Sequence, residues 1–149
     1  YPFGVENAWY QGRTEIVSFE PEELFGTKLR ALLQRRKNRD LFDLNEGLKQ
    51  LTMDPSKLIR CFEHYLSLEG VTIGRAAAEQ RLLERLEFSL TEDVAPMLPA
   101  GITFDDDEAV AAVGRVWTEL VPRLHGDPWK LSDEYIEAVR ANRYPGFLR

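Results

Sequence analysis

Six basic residues fall within twelve positions, Lys28, Arg30, Arg35, Arg36, Lys37 and Arg39, with no acidic residue among them. Asp40 and Asp43 follow directly. Cations neutralise phosphate oxygens, and a nearby carboxylate can activate a nucleophile or hold Mg²⁺, so this mixture is what a site handling a polyphosphate needs. On one continuous helix, Lys28, Arg35 and Arg39 form a single stripe beside a buried face of Phe25, Leu29, Leu32 and Leu33. If the helix breaks at Asn38 instead, Asp40 and Asp43 start a new helix and can turn back towards Lys28. The plain alternative is a solvated helix surface. Arg36 to Asp40 and Arg39 to Asp43 are i, i+4 pairs, each worth roughly a few tenths of a kcal/mol. Lys28 resists that reading, because no acidic residue lies three or four positions away on either side.

These residues depend on the elements that carry them. Glu20-Pro21-Glu22-Glu23 opens a helix, with proline early and carboxylates at the positive end of the dipole. Phe25, Leu29, Leu32 and Leu33 continue it to about Lys37. A second helix runs through Leu41, Leu44 and Leu48. Asp54-Pro55 starts a third, with Leu58, Cys61, Phe62, Tyr65 and Leu66 on one face and Gly70 as its stop. A fourth extends from about Thr72 to Phe88, turning Ile73, Ala76, Leu83 and Leu86 inward. Pro96, Pro99 and Gly101 mark a loop. Asp105 then caps a helix bearing Val110, Val113, Trp117 and Leu120, ending near Pro122. A last helix covers about Ser132 to Asn142, ahead of a Pro145-Gly146 tail. At the start of the chain, residues 1–12 read as irregular, and Thr14, Ile16, Val17 and Phe19 predict a strand over Arg13–Phe19. A lone strand needs a partner, and the expected one belongs to a missing part of a parent protein. The fold class is therefore mainly α, a bundle-like helical unit with a short β element at its N-terminus and a single domain over 1–149.

The chain has 149 residues, 44% apolar and 30% charged, with a net charge of −6. That length suits one domain whose core needs no metal or disulfide staple. A single cysteine, Cys61, excludes an internal disulfide and a Cys-based zinc site. Two histidines, His64 and His125, argue against a His-rich metal site. The apolar runs are too short for a membrane helix. The start at Tyr1 shows no charged-then-apolar leader, so the expectation is a trimmed or excised chain in the cytoplasm. The mean charge argues against a generally basic nucleic-acid binder. Yet that mean conceals +6 within twelve residues and −12 over the other 137.

Elsewhere the bland readings prevail. Asp105-Asp106-Asp107-Glu108 suits a helix start with capping-box spacing. His64 and His125 have no nucleophile or second histidine at catalytic spacing. Cys61 reads as a small core residue, and Trp9, Tyr10, Trp117 and Trp129 as core aromatics rather than base-stacking groups. Arg75, Arg81 and Arg85, beside Glu79 and Glu84, read as an ordinary salt-laced helix face.

The stretch Glu23-Leu24-Phe25-Gly26-Thr27-Lys28-Leu29-Arg30-Ala31-Leu32, then Gln34-Arg35-Arg36-Lys37-Asn38-Arg39-Asp40-Leu41-Phe42-Asp43-Leu44, closely resembles the nucleotidyltransferase AbiEii/AbiGii toxin family. There a strand leads into a helix reading roughly A-T-K-L-R-A-L, then R-x-K-x-R-D-L-x-D-L. Phe88 and Leu90 ahead of Asp93-Val94-Ala95-Pro96-Met97-Leu98-Pro99 also resemble that family's C-terminal part. The resemblance implies a polymerase-β-like fold with a helical C-terminal region, and a toxin of toxin–antitoxin and phage abortive-infection systems. It implies transfer of nucleotides from an NTP to an RNA, including tRNA ends, with Mg²⁺ as cofactor and a cognate antitoxin as partner.

By that resemblance Lys28, Asp40 and Asp43 are catalytic. Lys28 contacts the triphosphate, and Asp40 is the first choice for a base or orienting carboxylate. Arg30, Arg35, Arg36 and Arg39 join Lys28 in binding phosphate. Gly26 replaces the more usual alanine, a small-for-small exchange. One departure is larger: the family's metal site comes from a Gly-Gly or Gly-Ser turn followed by Asp-x-Asp on a strand. Neither dipeptide occurs here, and the only Asp-x-Asp, Asp105 to Asp107, comes too late in the chain. No metal ligands are therefore assigned, and the chain is expected to be the C-terminal part of a larger nucleotidyltransferase, inactive alone. The alternative is a non-catalytic helical module that docks RNA or a partner protein through the Lys28–Arg39 patch.

Overall fold

In a computed structural model of the protein, the described residues are 2–35, 37–86, 91–141 and 143. Pro21 in the first turn and Glu22 and Glu23 at the positive end begin helix α1, Pro21–Gln34. It ends ahead of the expected Lys37, because Arg35 turns extended, with φ −111° and ψ 156°. Helix α2, Arg39–Gln50, then starts after Asn38. The ends at this elbow find partners from far along the chain. The Leu33 carbonyl accepts from Arg81 Nη1 at 3.0 Å, and the Asn38 N–H donates to Asp93 Oδ2 at 2.8 Å. A helix end buried without such partners would leave its backbone groups unsatisfied.

Helix α3, Pro55–Leu68, and helix α5, Asp106–Glu119, begin at the predicted caps. Asp54 accepts from the Ser56 N–H and Asp105 from the Glu108 N–H, each at 2.8 Å. Helix α4, Arg75–Leu86, starts later than Thr72 because the Arg75 N–H is taken by the His125 carbonyl. Phe88 and Leu90 lie outside the described residues, as do Asn142 and the Pro145-Gly146 tail. Helix α6, Ser132–Arg140, closes the bundle against α5. The core gathers α1 against α2 and α3, and α5 against α2 and α6. Leu29, Leu44, Leu58, Phe62, Val113 and Leu120 lie fully buried within it. Among the described residues no helix is long and apolar enough to cross a membrane.

Further sequence expectations are corrected. Residues 1–12 are not irregular: β1, Pro2–Glu6, pairs antiparallel with β2, Gln11–Glu15, so the strand expected over Arg13–Phe19 starts and ends earlier and its partner lies within the chain. The Asn7 carboxamide sets the turn by accepting the N–H groups of Trp9 and Tyr10, both at 2.9 Å. Trp9 is not core but 95% exposed, whereas Trp117 is buried at 2%. The face of α4 is not salt-laced surface either. Glu79 is fully buried between Arg75 Nε at 2.9 Å and the Trp129 N–H at 2.7 Å. A buried carboxylate needs both partners, because half of that pairing would leave a costly unpaired charge.

Gly26 is more than a small residue. A Cβ there would lie 2.9 Å from the Cys61 Cβ and 3.0 Å from the Leu58 carbonyl oxygen. The glycine lets α1 and α3 approach backbone to backbone. Alanine gains about 1 kcal/mol of helix propensity, but overpacking costs about 1–3 kcal/mol. Gly26→Ala should therefore lose about 1 kcal/mol net in urea unfolding. Unchanged or higher stability would show that the two helices part freely.

Candidate active site

Lys28 projects from the middle of α1, beside the fully buried Leu29, so the face that packs the core also fixes the lysine. The elbow folds α2 back along α1 and presents both carboxylates to it. Lys28 Nζ lies 2.6 Å from Asp43 Oδ2 and 3.6 Å from Asp40 Oδ1. Of the two arrangements open to the sequence, the broken helix is the one adopted. Lys28, Arg35 and Arg39 do not share one helix, and Asp43 pairs with Lys28 rather than with Arg39.

The two carboxylates differ in environment. The Asp43 side chain is 39% exposed, whereas that of Asp40 is only 5% exposed. Asp40 Oδ2 is buried without a hydrogen-bond partner among the described residues. Burial raises the Asp40 carboxyl above its ordinary value, opposed by the charges of Lys28, Arg39 and Arg35 and reinforced by Asp43. A carboxyl held up in this way is suited to taking a proton from a substrate hydroxyl.

These residues line a cleft of about 430 Å³. One wall is charged, from Lys28, Arg30, Arg35, Arg39, Asp40 and Asp43. The other is apolar, from Phe42, Val94, Met97, Leu98 and Pro99. Arg35 and Arg39 are exposed in the charged wall. Arg30 lines the cleft too, but its guanidinium pairs with Glu69 at 2.5 Å and lies 5.7 Å from the centroid of the Tyr65 ring. Arg36 lies outside the described residues.

Asp93 and the apolar wall received no role from the sequence. Their signal was present, since Val94, Met97 and Leu98 make the stretch between Asp93 and Pro99 more apolar than a solvated loop requires. His64 and His125 stand apart from the cleft, His125 beside Glu63 at 3.4 Å.

The donor set does not fit a Mg²⁺ centre. The Lys28 ammonium occupies the space between Asp40 and Asp43. Among the described residues no group of three or more His, Cys, Asp or Glu side chains is gathered to hold an ion. Asp105 and Asp107 belong instead to the capped start of α5.

A family model described as "Nucleotidyl transferase AbiEii toxin, Type IV TA system" matches residues 2–118, from β1 into α5, and so takes in both walls of the cleft. No curated protein and no solved structure matches the chain.

The raised Asp40 carboxyl has a consequence for stability. The folded protein holds this proton more tightly than the unfolded chain does, so ionised Asp40 opposes folding. That penalty is present at neutral pH, fades as pH falls through the raised folded value, and is gone below about 4, where both states are protonated. Asp40→Asn should be at least as stable as the wild type at pH 7 in thermal unfolding, with the difference closing in acid. A variant clearly less stable at pH 7 would mean that the Lys28 ion pair outweighs desolvation.

Proposed function

We propose, from the premise that this chain belongs to the nucleotidyl transferase AbiEii toxin family, that it carries the triphosphate-facing half of a site transferring nucleotides from an NTP to an RNA acceptor, including tRNA ends. The observation that carries the reading is Lys28 held between Asp40 and Asp43 in the charged wall of a cleft also lined by Arg35 and Arg39. Lys28, Arg35 and Arg39 would bind the phosphate oxygens, and Lys28 can trade its carboxylate contacts for them. Arg30 would act through its anchorage to α3, and Arg36 would add charge to the basic segment. Asp40 would orient the acceptor hydroxyl and take its proton as the oxygen bonds to the α-phosphorus. The α–β phosphoanhydride then breaks, and pyrophosphate leaves.

Among the described residues no set of carboxylates is gathered to hold magnesium. The reading therefore makes this chain the C-terminal portion of a longer nucleotidyltransferase, whose Asp-x-Asp carboxylates would hold the ion. The exposed hairpin within residues 1–20 would complete that protein's N-terminal domain. Phe3 and Val5 of β1 share a face with Thr14 of β2, and the two apolar side chains are 50% and 36% exposed. A two-stranded hairpin is marginal in water without such cover. The protein would act in the cytoplasm, restrained by a cognate antitoxin.

In the parent protein, Lys28→Ala should reduce NTP-dependent RNA labelling about 100-fold or more, the scale of losing one electrostatic contact to the transition state. The thermal midpoint should stay near that of the wild type, because Lys28 is 31% exposed and its ion pairs are partly screened by solvent. Wild-type labelling by that variant would overturn the assignment. RNA binding without any transfer by the wild-type parent would favour a docking module instead.

Purified residues 1–149 alone should show no metal-dependent transfer. Transfer by them would place the metal site within this chain.

A further inference from the structure

The cleft has apolar lining residues that a phosphate chain does not use. Val94, Met97, Leu98 and Pro99 come from a short 3-10 turn, Ala95–Met97, and its flanks. Val94 is 2% exposed and anchors this strap in the core, while Met97 is left 63% exposed. Phe42 of α2 lines the same cleft and is braced edge-on by Phe104, with ring centroids 5.2 Å apart. The hydrogen bond from the Asn38 N–H to Asp93 ties the strap to the start of α2, two residues before Asp40. The strap is therefore held beside the charged residues of the cleft by a tertiary contact.

An exposed thioether in a cleft also lined by Pro99 and Phe42 offers polarizable apolar surface, which suits the face of an aromatic ring. Its place in the same cleft as the cationic residues suits a molecule with a polyanionic end and a planar apolar end. The cleft volume of about 430 Å³ falls in the range of roughly 300–1,000 Å³ usual for small-molecule sites.

We propose that this strap, with Phe42, is the surface against which the base of a nucleoside triphosphate lies, so that the cleft recognises the nucleoside as well as its phosphates. The inference rests on the charged wall being the triphosphate site. Phosphate contacts set affinity and register there, and apolar contact at Met97 separates a nucleotide from a bare polyphosphate.

The test is calorimetric binding of two probes, ATP and inorganic tripolyphosphate, to the wild-type protein and to Met97→Ala. Met97 is exposed, so its truncation does not threaten the fold. ATP should bind the wild type more tightly than tripolyphosphate. Met97→Ala should weaken ATP about threefold to tenfold, the scale of a lost sulfur–aromatic contact, and leave tripolyphosphate unchanged. Equal affinities for the two probes in the wild type, or equal losses for both in the variant, would overturn the inference while leaving the triphosphate site standing. If neither probe binds, the charged-wall reading fails and this inference with it.

Discussion

A lysine ammonium on one helix, caught between two carboxylates of the next, requires α1 and α2 to fold back on each other at a sharp elbow. That elbow exposes carbonyls at the end of α1 and N–H groups at the start of α2, and none of them can be left buried and unpaired. Arg81 closes the first end through the Leu33 carbonyl, and Asp93 closes the second through the Asn38 N–H. Helix α4 and the segment after it are thus drawn around the elbow, and with them comes the apolar wall of the cleft. Phe25 follows the same logic. It fits over Gly47 of α2, where any Cβ would strike its ring.

The placement of Asp40 works against folding. Burying a carboxylate with one oxygen unpartnered costs free energy, and Lys28 at 3.6 Å offsets part of that cost. The same desolvation raises the carboxyl towards the range in which it can exchange protons. Asp43 is more exposed and lies in direct contact with the Lys28 ammonium. Two aspartates three residues apart therefore take different parts, decided by burial rather than by sequence.

Much of this was legible in the residues alone. The cap signals at Asp54 and Asp105 and the apolar stripes are local features, and local physics decides them. The choice between a continuous and a broken helix was not legible, because the groups that settle it lie 48 and 55 positions away, at Arg81 and Asp93. Glu79 misled for a related reason. An i, i+4 pair with Arg75 looks like surface, and only the Trp129 N–H arriving from another segment makes it core. The hairpin escaped notice because Pro2 and Gly4 in β1 and Gly12 in β2 are residue types that strands disfavour. Its turn also depends on one side chain, Asn7, bonding to backbone just beyond it.

If Lys28 and Asp40 form one working unit across the elbow, their contributions to transfer cannot be independent. The direct measurement is NTP-dependent RNA labelling by the parent protein carrying Lys28→Ala, Asp40→Ala, or both. The double variant should lose no more than about tenfold beyond the worse single one, as expected of groups that act as a unit. Losses that multiply, so that the double variant falls by the product of the two single effects, would contradict the account.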